Sequence, residues 1–418
     1  MTGLKTPLYS TPADQHLFVG FHDIIPWSPA GDCLALQRIP AGLSTMKDTD
    51  QPIEIVLWYP QSDEVRPVAT TRAWNFQQGA RVQWVPGRER TIIFNDVIDG
   101  EARAVMIDID TDARTVLDGP ILTIDPSGKR SIAPDFGTLA DRWAAYGYRA
   151  VKGGPVSTVG LWSVDLETGE KSPFITNDQI AAVGNVPEKD PTRQFLSHPL
   201  FSPDGKHLAF VHRFFLRDGG LYTRFLVCAA DGTGIRVLAE EKMSHCCWLD
   251  NDRLVLWARF AAGGLGAARG HPLMQTFPVR MLIKLARSMT GRWKKKLLSE
   301  AYFEIDINTP QQRKRFGAPH LDSDGHPMAP TTHRWLLTDT YPDHTETLPL
   351  ILYHMDEHRR IDVARFRDGV ETEDPDAKCD LHPRWNRDET MIAVDSCEDG
   401  FRRVHIVDVA DIVRGKAA

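Results

Sequence analysis

An aromatic residue, a short polar turn and an alternating apolar run recur along this chain, and that repeat limits the fold more than any other feature. The clearest copies are HPLFSPDGKHLAFVHR (198–213), HCCWLDNDRLVLWAR (245–259) and HPRWNRDETMIAVDS (382–396). Weaker copies stand at 26–38, 83–97, 123–136 and 328–341, and most are followed by a second strand-like segment such as IEIVLWY (53–59) or RVHIVDV (403–409). Turn residues between short β-rich runs mark paired strands. The turn anchors fall near 27, 84, 124, 201, 248, 329 and 385, a spacing of about 60 residues that leaves room for long loops. Seven such units close without exposed sheet edges as four-stranded blades around a channel, so the sequence predicts an all-β, seven-bladed β-propeller spanning 1–418 as one domain. Two separate β-sandwiches are the alternative. An α/β fold would need helical crossovers where the intervals are polar and rich in Pro and Gly.

Composition narrows the function. With 49 Lys+Arg against 56 Asp+Glu, the 418 residues are not built broadly to bind nucleic acid. No apolar run reaches membrane-spanning length, and the first residues lack the apolar core of a secretory signal. Six cysteines, two of them the adjacent Cys246 and Cys247, make a poor disulfide scaffold. A reduced, cytoplasmic setting is the expectation. One segment breaks the pattern. Residues 264–300 lengthen the fifth unit, and Met281, Leu285, Met289, Trp293 and Leu297 recur at helical spacing. From Arg269 to Lys296 there are eight Lys/Arg and no Asp/Glu. Two readings stand open for it: a helical insertion packed on its own blade, or peripheral contact of 269–298 with an anionic membrane surface or an acidic glycan.

A second pattern runs through the repeat. Three residues before the anchor, units four to seven carry His198, His245, His326 and His382, whereas units one to three carry Ile24, Arg81 and Ile121. Equivalent positions of successive blades share radius and height, so four imidazoles are expected at one rim of the channel. Metal ligation and acid–base work are the options for them, with a structural entry to the inner strand as the plainer alternative. Asp380, two residues before His382, shares its strand face and adds an oxygen. Imidazoles with one carboxylate suit manganese, iron or zinc better than calcium or magnesium. Other polar residues near the turns include His22-Asp23, Asn75 to Gln78, and Arg142, Tyr146 and Tyr148 of ADRWAAYGY. Asp339, Asp395 and Asp408 read as structural.

At SHPLFSPDG (197–205), SHCCW (244–248), DGHP (324–327) and CDLHPRW (379–385) the chain resembles the propeller polysaccharide lyases, above all oligogalacturonate lyase, with ulvan-lyase-type relatives behind it. The resemblance implies a divalent metal, manganese first with iron or zinc as alternatives, held by histidines and a glutamine. It also implies a further histidine acting as base in β-elimination of uronic-acid oligosaccharides. His245 and His382 resemble the metal histidines, Asp380 stands where the family has another histidine, and His198 matches the base. No residue matches the glutamine. The metal set is then His245, His326, His382 and Asp380, with Arg213 or Arg384 clamping the substrate carboxylate and Tyr148 donating the proton. The partner so implied is an acidic oligosaccharide. SPDG-type repeats also occur in non-catalytic propellers of the Tol system, which leaves a scaffold binding a glycan or partner protein at the inner membrane surface as the competing reading. Glycoside hydrolysis ranks last, because no carboxylate pair stands beside the histidines.

Overall fold

The computed structural model describes residues 3–151, 158–184, 189–216, 221–260, 300–342, 345–369, 372 and 374–415. The chain forms a seven-bladed β-propeller. Each anchor of the repeat lies on or beside the innermost strand of a blade: Trp27 bridges Leu34, Gln83–Trp84 and Thr123–Ile124 open blades two and three, Phe201 and Trp248 end long inner strands, Met328 bridges Leu337, and Arg384–Trp385 opens blade seven. The basic insertion expected at 264–300 lies, but for Glu300, outside the described residues. Arg259 pairs with Glu300, so the chain on either side of it is one hairpin of blade five. No described helix is long and apolar enough to cross a membrane.

Period-two alternation builds the ring. Successive side chains of a strand point to opposite faces, and in a propeller both faces meet a neighbouring blade. Leu34 and Leu36 therefore pack toward blade seven, with Ala393, Val404 and Ile406, while Ala35 packs toward blade two with Ile92 and Phe94. Leu208 and Phe210 face blade three, and Ala209 and Val211 face blade five. Leu254 and Leu256 face back to blade four, while Val255 and Trp257 join Leu336 and Ile351 of blade six. The core is thus a ring of inter-blade clusters. This explains why the strands read as nearly continuous apolar runs.

Two features of the connections matter for the site. Strand Arg236–Trp248 is the outer strand of blade four as far as Glu241 and the inner strand of blade five from Lys242, so these blades share one seven-stranded sheet. At the other extreme, blade seven takes its outermost strand, Tyr9–Ser10, from the start of the chain, paired with Ile406 and His405. The ring is closed by that strand and by the blade seven to blade one cluster.

Candidate metal centre at the channel mouth

The positions three residues before the anchors have unusual backbones. Arg81, His198 and His382 sit at φ +58°, +51° and +42°, the left-handed region that side-chain-bearing residues rarely enter. In the inner strands of blades four and five the pairing slips between Ser197 and Leu200 and between Met243 and Cys246, so His198 and His245 lie at β-bulges. A bulge or a left-handed residue takes a side chain out of the strand's alternation, here into the channel. Such strain, of order 1–3 kcal/mol per residue, persists where the surroundings over-determine it and is concentrated at functional sites.

The structure brings the four histidines together. Ring centroids are 4.2 Å apart for His245 and His326 and 4.3 Å for His326 and His382. His326, Asp380 and His382 each offer a ligand atom within 4.8 Å of the others. His198 stands at the other side of the cluster, 5.4 Å from Phe21, whose ring lies 5.2 Å from His382.

Hydrogen bonds fix which nitrogen of each ring is free. His382 Nδ1–H donates to the Gly20 carbonyl at 2.8 Å, leaving Nε2 buried with no partner. His326 Nδ1–H donates to both oxygens of Asp339 at 2.9 and 3.0 Å, and its backbone N–H reaches Oδ1 of the same carboxylate. His245 Nδ1–H donates to Asp324 at 3.1 Å. A carboxylate or carbonyl behind each imidazole, with the opposite nitrogen presented to a common point, is how metal-binding histidines are oriented. Asp339, read as structural from sequence, does this for His326.

Burial dominates the electrostatics. It pushes the His382, His22 and His198 imidazoles well below the usual histidine range, aided at His382 by His326 and at His198 by Arg213, so these rings are neutral and ligand- or base-competent. At His326 burial acts in the same sense, but the Asp339 carboxylate outweighs it and the pKa is raised. Burial raises Asp380, with His326 opposing. The residues therefore fit a divalent ion: imidazoles and one carboxylate, oriented from behind, with a buried ligand nitrogen on His382 that no group among the described residues satisfies.

The remaining expected residues divide. Arg213 lies over the Trp143 ring at 5.3 Å, and its buried Nε and Nη1 have no partner among the described residues. Arg384 has another role. It is fully buried, donates to Asp395 and to the carbonyls of Gly20 and Phe21, and so holds the first blade to the seventh. Tyr148, expected to donate a proton, is stacked on Phe136 in the core with its hydroxyl accepting from Asn95. The tyrosine that faces His198 is Tyr146, at 4.7 Å between ring centroids. It is carried there by the helix Phe136–Arg142, N-capped by Asp135, and the turn Ala144–Tyr146. Gly147 allows the turn, since a Cβ would come 2.1 Å from the Ala140 nitrogen.

Sequence reasoning gave no role to His22, Gln78 or Tyr341. His22 and Gln78 line one cavity with His198 and His245, and the buried Gln78 Oε1 has no partner among the described residues. Tyr341, 42% exposed, edges the cluster at 5.8 Å from His326.

No family model and no curated protein matches this chain. Among solved structures, it is similar to an oligogalacturonate lyase in complex with manganese, at 15% identity and a TM-score of 0.62, covering 99% of this chain and 96% of that one. It is also similar to the oligogalacturonate lyase of Vibrio parahaemolyticus, at 13% identity and a TM-score of 0.61, covering 99% and 97%.

Proposed function

We propose that the protein is a lyase that cleaves uronic-acid-containing oligosaccharides by β-elimination, using a divalent metal, manganese first, held by His245, His326, His382 and Asp380. The observation that carries this reading is the buried Nε2 of His382, unsatisfied among the described residues and within reach of His326 and Asp380, beside a neutral His198 and a guanidinium without a partner among those residues. The structural similarity to oligogalacturonate lyases, one of them described in complex with manganese, supports it. A bound divalent ion would supply positive charge to the substrate carboxylate and so acidify the C5 proton.

The chain's own residues do the rest. Arg213, without a carboxylate partner among the described residues, offers two N–H donors to the uronate carboxylate. His198, neutral because it is buried, takes the C5 proton as the C4–O4 bond breaks and the C4–C5 double bond forms. Burial raises the Tyr146 hydroxyl, which keeps it protonated to donate to the departing O4. Tyr341 gives the sugar a partly exposed aromatic face at the rim. Arg384 and Tyr148 are left with structural work.

The test is a screen of oligogalacturonate and other uronate oligosaccharides with manganese-loaded protein, following the ultraviolet absorbance of the unsaturated product. Turnover that disappears in His198→Ala while the metal stays bound is the expected result. Metal-loaded wild type that binds the oligosaccharide without forming product would replace the lyase with a glycan-binding scaffold.

A further inference from the structure

We propose that His22, from the first blade, is a further ligand of the metal, so that one ion ties blade one to blades five, six and seven across the closing seam of the ring. This rests on the metal reading above and adds a residue outside the four-histidine pattern.

Three observations carry it. First, His22 is 4% exposed, and neither ring nitrogen has a hydrogen-bond partner among the described residues. The ring lines the same cavity as His198 and His245, and an imidazole facing a cavity without a protein partner is available to a ligand. Second, its ring centroid lies 5.4 Å from His326, 6.0 Å from His245 and 6.1 Å from His382. With metal–nitrogen bonds near 2.1 Å, a ligating ring is centred about 3.3 Å from the ion, so two rings sharing it lie no more than about 6.5 Å apart. All three separations satisfy that limit, and since the ligand atoms already within 4.8 Å of one another are those of His326, Asp380 and His382, His22 would join them by a small shift of its ring toward the bound ion.

Third, the backbone around His22 is clamped from both sides. Asp395 accepts from the N–H groups of Val19 and Gly20 at 3.0 and 3.2 Å, and Arg384 donates to the Phe21 carbonyl at 3.1 Å. On the other side Arg81 holds Asp23 bidentately at 2.8 and 2.9 Å. Gly20, at φ +111°, passes so close to blade two that a Cβ would stand 2.7 Å from the Gln78 carbonyl oxygen. The loop is therefore built to hold the residue between these clamps in one place. Preorganisation of this kind is what a ligand needs and what a mere packing residue does not.

The experiment compares wild type, His22→Phe, which fills the volume without a ligand atom, and His22→Asp, which restores one. Manganese affinity is read by calorimetry and by the electron paramagnetic resonance of the bound ion, and melting temperature with and without manganese gives the link to ring closure. The expected result is at least a ~10-fold loss of affinity in His22→Phe, partial recovery in His22→Asp, and a smaller manganese-induced rise in melting temperature in His22→Phe. Should His22→Phe fail to fold, His22→Leu takes its place. Wild-type affinity and an unchanged resonance spectrum in a folded His22→Phe or His22→Leu protein would overturn the role of His22 while leaving the metal site standing. No manganese in the wild type would overturn the metal reading, and this inference with it.

Discussion

Arg81 and His382 occupy the same place in their blades, three residues before the anchor, and both have left-handed backbones, yet their head groups meet opposite fates. The Arg81 guanidinium is fully satisfied, by the Asp23 carboxylate and by the Leu122 carbonyl of the third blade. His382 is satisfied on one nitrogen only. The repeat supplies a position that aims a side chain into the channel. Chemistry then decides whether the position stitches blades together, as Arg81 does in blade two, or presents an unpaired ligand atom, as His382 does in blade seven.

The sharpest way to break this contrast is Arg81→Met. It leaves Asp23 in the channel wall without its cation, and removing one partner of a buried pair costs about 3–5 kcal/mol. Denaturant unfolding is expected to show that loss, and because the same pair fixes the backbone beside His22, manganese affinity in the folded protein is expected to fall, by less than in His22→Phe. Unchanged affinity in a folded Arg81→Met variant would mean that Arg81 only stitches blades and does not help to place His22.

A second test uses a histidine that is unpaired but alone. His405 shares Ser10 Oγ at 2.7 Å and leaves Nε2 buried without a partner, but it belongs to no metal-binding group among the described residues. Burial pushes its pKa down from 6.5 to about 4. Between those values the unfolded chain binds a proton that the folded ring does not, so this histidine's penalty is absent above about pH 6.5 and grows as pH falls toward 4, to a limit of about 3 kcal/mol. Chemical denaturation across that range is expected to show a flatter acid limb in His405→Gln, at unchanged manganese content. An unpaired nitrogen alone would then be insufficient for a ligand.

The smallest effect belongs to Tyr148→Phe. Its hydroxyl meets Asn95 rather than the histidines, so about 1 kcal/mol of stability is expected to go and the proposed activity to stay. A loss of turnover without a loss of stability would return Tyr148 to the site.

The fold was legible because a propeller writes its geometry into every unit. The anchors at Trp84, Ile124, Phe201, Trp248 and Trp385 follow from turn chemistry and alternation, both local properties of the chain. The four histidines were legible for the same reason, since equal phase means equal position on the ring. His22 was not, because it enters the mouth two residues ahead of the phase position of its blade, Ile24, by way of the left-handed Gly20. Nor was the choice between Tyr146 and Tyr148. They lie two residues apart in one loop, and which one meets His198 depends on the helix cap at Asp135 and the tight approach of Gly147 to Ala140. The contacts of Arg384 were not legible because its partners, Asp395 and the carbonyls of Gly20 and Phe21, come from both ends of the chain.

The strand shared by blades four and five has a mechanical consequence. His198 and His245 are mounted on one continuous sheet, so a change in their spacing has to bend the strand that blades four and five share. His326 and His382 stand on sheets of their own, joined to that unit by side-chain packing. Blades six and seven, held by side-chain packing rather than by a shared strand, are therefore the ones expected to shift first when the mouth tightens around a bound ion or substrate.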